Sequence, residues 1–122
     1  MKQTAFALLA LLALGCSSTM VGVPEGAEYV YIQGILKVTL ASPLPEVEGA
    51  TRKAFQDLDV VGVQGGADKL KGKITASLAD GTKVTIKMKA LDFESTTLQI
   101  KVGTFGDRAI SMQILRHIRE NL

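Results

Sequence analysis

The chain has 122 residues, with 14 lysines and arginines against 12 aspartates and glutamates, a formal charge of +2 that supplies no bulk attraction for nucleic acid. Its single cysteine excludes an internal disulfide, and its single histidine, without a cysteine partner, excludes the usual zinc site of three or four N, S and O ligands. Aromatic residues make up 5% and tryptophan is absent, so the aromatic interleaving of a nucleic-acid surface is missing.

The first element is a leader. Met1-Lys2-Gln3-Thr4 is a short positive start, Ala5 to Leu14 is an unbroken apolar run, and Ala13-Leu14-Gly15-Cys16 sets a small residue directly before the cysteine. The run is about half of the roughly 20 residues that a spanning helix needs, which argues against a transmembrane segment. A plain secretory signal is the nearer rival. Lipidation of Cys16 is preferred, because a secreted domain with one unpaired thiol carries a reactive liability. Ala13 departs from the leucine more usual at that place. The expected organisation is a lipoprotein signal peptide over 1–15, the lipidated cysteine and a flexible tether over 16–27, and one α+β domain over 28–122. By the Gram-negative sorting pattern that the site resembles, Ser17 implies a lipid-anchored protein of the bacterial cell envelope, at the outer membrane and facing the periplasm. Ser17 to Ala27 is small, without period, and reaches at most roughly 36–40 Å when fully extended. Cleavage before Cys16 removes Lys2 and leaves about 107 residues, enough for one hydrophobic core.

From Tyr29 the apolar period becomes two. Val30, Ile32, Leu36, Val38 and Leu40 share one face of a first strand, and Tyr29, Tyr31, Gln33, Lys37 and Thr39 share the other. Ser42-Pro43 reads as an N-cap and a proline in the first helical turn. Leu44, Val47, Ala50, Ala54, Phe55 and Leu58 then fall on one side of an amphipathic helix, with Glu48 and Arg52 as an i,i+4 pair on the wet side. Val60, Val61 and Val63 open a second strand, which ends at a Gly65-Gly66 turn. A third strand spans Lys69 to Leu78, with Leu70, Ile74, Ala76 and Leu78 inward. A fourth spans Thr82 to Ala90, with Val84, Ile86 and Met88 inward. Keeping both apolar sets on one face requires an odd loop, so Ala79-Asp80-Gly81 is expected as a three-residue turn with Gly81 left-handed. After a turn over Leu91 to Ser95, Leu98, Ile100 and Val102 mark a fifth strand. Asp107 caps a terminal helix whose apolar stripe is Ile110, Ile114, Leu115, Ile118 and Leu122, with Ser111 set inside it. The order strand, helix, four strands, helix predicts an α+β sandwich: one antiparallel sheet with two helices packed on one face.

The outward face of strands three to five carries Lys69, Lys71 and Lys73, then Lys83, Lys87 and Lys89, then Lys101, with threonine, serine and glutamine between them and no carboxylate. In the register proposed, Lys73 opposes Lys87 and Lys71 opposes Lys89, and like charges directly opposite destabilise a strand pair. An anionic partner relieves that cost: phospholipid or lipopolysaccharide headgroups, peptidoglycan carboxylates, or an acidic protein. The plainer reading is a solvated face whose lysines discourage aggregation. Glu25 to Asp68 leans acidic, as helix surfaces do.

Elsewhere the chemistry is thin. His117 falls beside the terminal stripe, toward the sheet margin, in a structural role. Ser111 lacks a GxSxG setting, and no His/Asp pair can be placed beside it. A strand follows Gly62, Gly65 and Gly66, so no helix N-terminus is there for phosphate. Asp57/Asp59 and Asp92/Glu94 sit at loop edges. No enzyme, cofactor or metal is expected.

Asp80-Gly81-Thr82, the run Val102-Gly103-Thr104-Phe105-Gly106-Asp107 and Ser111 to Leu122 together resemble a family of small bacterial lipoproteins, domain of unknown function 3568. The lipidated leader, tyrosine-containing first strand and alanine-containing helix extend the likeness over most of the mature chain. The resemblance implies a small envelope lipoprotein with no known activity, cofactor or catalytic residue. The same residues have a local explanation: Gly103 and Gly106 bracket an abrupt strand-to-helix change, Phe105 tucks under the helix start and Asp107 caps it. The alternative is a small anion site made by Thr104 and Arg108. The expected function is a non-enzymatic, membrane-tethered interaction domain that uses the lysine face. The alternative is a carrier or sensor of a small apolar ligand, held between sheet and helices against Met88, Ile86 and Phe55.

Overall fold

The computed structural model describes residues 29–122; the leader, Cys16 and the tether lie outside the described residues. Where one opening strand is expected there are two, β1 (Tyr29–Ile32) and β2 (Ile35–Leu40), joined by a tight turn at Gln33-Gly34. Both turn residues have positive φ, 56° and 81°, as the commonest two-residue hairpins require. The turn corrects the facing of β1. Tyr31 pairs with Leu36 and Tyr29 with Val38, so the tyrosines lean on the core while Val30 and Ile32 are 49% and 60% exposed.

Helix α1 (Leu44–Asp57) buries Leu44, Val47, Ala50, Ala54 and Phe55. It starts one residue later than expected. Pro43 is the N-cap, its carbonyl accepting the amides of Glu46 and Val47 at 3.0 Å each, while the Ser42 carbonyl accepts from the Thr96 hydroxyl at 2.8 Å. The helix carries the chain across the sheet to its far edge, where β3 (Val61–Ala67), β4 (Lys71–Ser77), β5 (Lys83–Asp92) and β6 (Ser95–Val102) walk back until β6 pairs with β2. The strand order is β1-β2-β6-β5-β4-β3, antiparallel throughout. Helix α2 (Arg108–Glu120) follows β6, and the Asp107 carboxylate accepts the Ile110 amide at 3.0 Å as the expected cap. Both helices cover one face of the sheet. Leu36, Val38, Leu40, Ile74, Ala76, Val84, Ile86, Met88, Leu98, Ile100 and Val102 meet Phe55, Ile114, Leu115 and Ile118 there.

Three local expectations are corrected. Gly65-Gly66 is not a turn but part of β3, paired with Ile74 and Lys73. A Cβ on Gly65 would collide with the Lys73 carbonyl, so the glycine lets a bulged strand approach β4. The turn comes later, at Asp68 to Leu70, which leaves Leu70 71% exposed and Lys69 outside the strand. Phe105 does not tuck under α2. It is 91% exposed, and its backbone lies against the fold instead: a Cβ on Gly34 would stand 2.5 Å from the Phe105 carbonyl oxygen.

Gly34 and Gly106 make this contact together, backbone on backbone, joining the β1–β2 turn to the entry of α2. Gly106 has φ +86, and a Cβ there would strike Gly34 Cα. Gly106→Ala is expected to cost at least about 2 kcal/mol, the left-handed penalty plus the collision. Gly49→Ala, on exposed α1 with nothing within 4 Å of the new methyl, is expected to gain about 0.5–1 kcal/mol from helix propensity. Urea unfolding of the two variants checks both signs.

Candidate functional site

The three-residue loop at Ala79-Asp80-Gly81 forms as expected. The Leu78 amide donates to the Thr82 carbonyl at 2.8 Å, and Gly81 has φ +90. The loop keeps β4 and β5 in phase, so Ile74 faces Ile86 on the core side while Lys73 faces Lys87 and Lys71 faces Lys89 on the other. The β5–β6 register adds Gln99 beside Lys87 and Thr97 beside Lys89, and the β2–β6 register adds Lys37 beside Gln99. A row Lys37–Gln99–Lys87–Lys73 thus crosses four strands, with Thr39–Thr97–Lys89–Lys71 next to it.

This face holds a shallow hollow of about 940 Å³. Of the seven lysines expected on the face, it gathers Lys71, Lys73, Lys87 and Lys89, and it adds Lys37. Lys101 lies one row away, opposite Ile35 and Thr85. Lys83, opposite Ser77, lies toward the other end of the sheet, and Lys69 is in the β3–β4 turn. The alternation in sequence puts Lys37 on the outer face of its strand, but only the pairing of β2 with β6 brings it to this hollow. Lys37, Lys71, Lys73, Lys87 and Lys89 are all exposed, and none is in an ion pair among the described residues.

One carboxylate reaches the rim, that of Asp68. Its charge is already engaged: Oδ1 accepts the Leu70 amide at 2.7 Å and the Lys71 amide at 2.9 Å. The Lys71 amide first, the Leu70 amide next and, more weakly, the Lys71 ammonium hold this carboxyl below the usual aspartate value of 3.8. Asp80 and Asp92 serve the next two hairpins in the same way. The Thr82 hydroxyl and then its amide lower Asp80, and the Glu94 amide and then the Ser95 hydroxyl lower Asp92. These aspartates shape loops, and of the three Asp68 alone lines the hollow. Ammonium groups gathered in this way can hold anions.

The other singled-out residues fall elsewhere. Ser111 is fully buried, its hydroxyl without a hydrogen-bond partner, and a small side chain is what its place in the α2 stripe requires. His117 lies not at the sheet margin but between the C-terminal ends of the helices, its Nδ1 3.9 Å from Asp57 and 3.8 Å from Glu120. Asn121 ties that junction, donating to Asp57 at 3.1 Å and to the His117 carbonyl at 2.8 Å. Arg108 spans 5.8 Å to the centre of the Tyr31 ring, a cation–π contact. Met88, Ile86 and Phe55 are 2%, 0% and 0% exposed, within the core. No group of three or more His, Cys, Asp or Glu that could hold a metal occurs among the described residues.

A family model described as "Protein of unknown function (DUF3568)" matches residues 1–121. No curated protein matches the chain.

The three lowered aspartates set a pH dependence of known sign. A carboxyl whose folded value lies below its unfolded value contributes stability above the unfolded value and loses it as pH falls through the folded one. Stability is therefore expected to fall as pH drops below 3.8. Replacing Asp68, Asp80 and Asp92 together by Asn keeps the turn geometry and flattens that acid limb. Urea midpoints at about pH 6 and about pH 3 read the difference.

Proposed function

Since the chain belongs to the family described as Protein of unknown function (DUF3568), whose description names no activity, we propose that it is a membrane-tethered interaction domain of the bacterial envelope, anchored through lipid on Cys16. It works without catalysis, and its lysine-lined hollow takes an anionic envelope component or acidic protein. The observation that carries this reading is the juxtaposition of Lys73 with Lys87 and of Lys71 with Lys89, with no carboxylate between them. Each such pair costs rather than gains in the isolated domain, on the order of 0.2–1 kcal/mol. A bound anion turns the same pairs into donors converging on one charge. The leader supports the tether, because a short apolar run ending in Gly15-Cys16 leaves the domain beside a membrane surface.

The reading separates binding from stability in one substitution. Lys73→Glu replaces a repulsive pair by an attractive one, so the domain is expected to gain about 0.2–1 kcal/mol while losing salt-sensitive association. Unfolding by urea and photo-crosslinking in intact cells, from a crosslinking residue at Lys87, measure the two effects. A discrete adduct from Lys87, absent at Gln56 on α1 and lost with Lys73→Glu, is expected; equal adducts at both positions, or none, overturn the assignment.

A further inference from the structure

The lysine face ends in an apolar tip. Leu70, Leu91 and Phe93 are 71%, 57% and 96% exposed, and all three lie at one end of the sheet. The Ala90 amide donates to the Leu70 carbonyl at 2.8 Å, which sets the β3–β4 turn beside the end of β5. Leu91 shares the hollow with Lys71 and Lys89, and Phe93 stands in the β5–β6 turn beyond it. Exposed large apolar side chains are unremarkable when scattered, but three gathered at one end of the sheet call for an occupant.

Two observations name the occupant. The first is the collar. Lys69 and Lys71 flank Leu70, Lys89 precedes Leu91 by two residues, and Lys73 and Lys87 form the next row back. Going inward from the tip, apolar side chains give way to ammonium groups, the order in which a bilayer presents acyl chains and then phosphates. Three carboxylates share these turns. Asp68 accepts from the Leu70 and Lys71 amides and Asp92 from the Glu94 amide and Ser95 hydroxyl, and both keep their charge; with Glu94 they are three carboxylates against the five lysines of the collar, Lys69, Lys71, Lys73, Lys87 and Lys89. The second is the chain entry. Tyr29 pairs with Val38, which lies in one cross-strand row with Leu98, Met88 and Gly72. From that row β1 runs away from the tip, so Tyr29, the first described residue, stands at the tip end of its strand. Cys16 and the apolar run precede it in the sequence.

We propose that the Leu70–Leu91–Phe93 tip inserts into the interfacial layer of an anionic bilayer, while Lys71, Lys89 and the rows behind them meet the phosphates. This rests on the reading of the lysine face as an anion-binding surface and gives that surface its partner, the phospholipid of the membrane holding the tether. The tip docks the domain in one orientation, with the sheet standing on the membrane and the two helices beside it.

The full chain carrying Phe93→Trp, purified as the cell processes it, is reconstituted into phosphatidylethanolamine–phosphatidylglycerol vesicles with brominated acyl chains. The chain has no tryptophan of its own, so emission reports on that position alone. Phe105→Trp, 91% exposed at the opposite end of the sheet, is the reference. Blue-shifted emission quenched several-fold more strongly at position 93 than at 105 is expected, with the difference lost when Lys71→Glu and Lys89→Glu are added. Water-like emission at 93, equal quenching at both positions, or quenching that survives the lysine reversals overturns the proposal. In any of those cases a Lys87 adduct to a protein or polymer in cells leaves the anion-binding face standing without the bilayer, and the absence of any adduct removes both readings.

Discussion

A strand alternates its side chains between two faces, and in this sheet every other feature depends on keeping that alternation in phase from one strand to the next. From β4 to β6 the even-numbered residues Ile74, Ala76, Val84, Ile86, Met88, Leu98, Ile100 and Val102 point under the helices, and β2 continues the set with Leu36, Val38 and Leu40. The odd-numbered lysines are thereby placed outside. A one-residue change in the Ala79-Asp80-Gly81 loop would slip one strand and set lysines into the core. Burying an unpaired ammonium costs several kcal/mol even after relaxation, so the loop length is enforced from both faces at once.

Magnitudes explain why such a charged face is tolerated. Each facing lysine pair costs on the order of 0.2–1 kcal/mol, whereas each buried isoleucine, leucine or valine behind it contributes roughly 1.5–3 kcal/mol. The apolar side wins by a wide margin, and the repulsion survives in the native state as a free energy that association can recover. Asp68, Asp80 and Asp92 stand twelve residues apart, one at each hairpin of the meander, and each directs its carboxylate to amides or hydroxyls of its own loop.

How legible this was in the sequence varies with how many readings each pattern allows. The β4–β5 loop could be read because only one loop length put two apolar sets on one side, and the facing of Lys73 with Lys87 came with it. The Asp107 cap was legible because a good capping residue sits just before an apolar stripe of helical period. The opening hairpin was not. Tyr29 and Tyr31 are apolar enough to face inward, as Val30 and Ile32 are, so period two alone admits either face, and Gln33 takes a left-handed conformation unusual for its type. Gly65-Gly66 misled because a bulge and a turn draw on the same residue; what separates them is the approach of β4, a contact between segments that no local pattern encodes. The same holds for Lys37, whose strand neighbour is sixty residues away in the chain.

Long-range packing also explains why the segment from Gly103 to Gly106 is built as it is. Gly103 and Gly106 both take positive φ, which a local account reads as the cost of turning from strand to helix. The Gly34–Gly106 contact adds a tertiary demand, since neither residue can carry a Cβ without displacing the other's backbone. This contact fastens the edge hairpin to the start of α2, and the Arg108–Tyr31 contact lies beside it. In that hairpin β1 is an edge strand paired with β2 alone, whereas β2 is also held by β6. Under the tether proposed through Cys16, a pull on the anchor loads β1 first, and β1 has four residues paired with β2 to resist it. On that reading the glycine contact passes the load from the sheet edge into the helix layer, because it joins the turn that ends the first strand to the entry of α2.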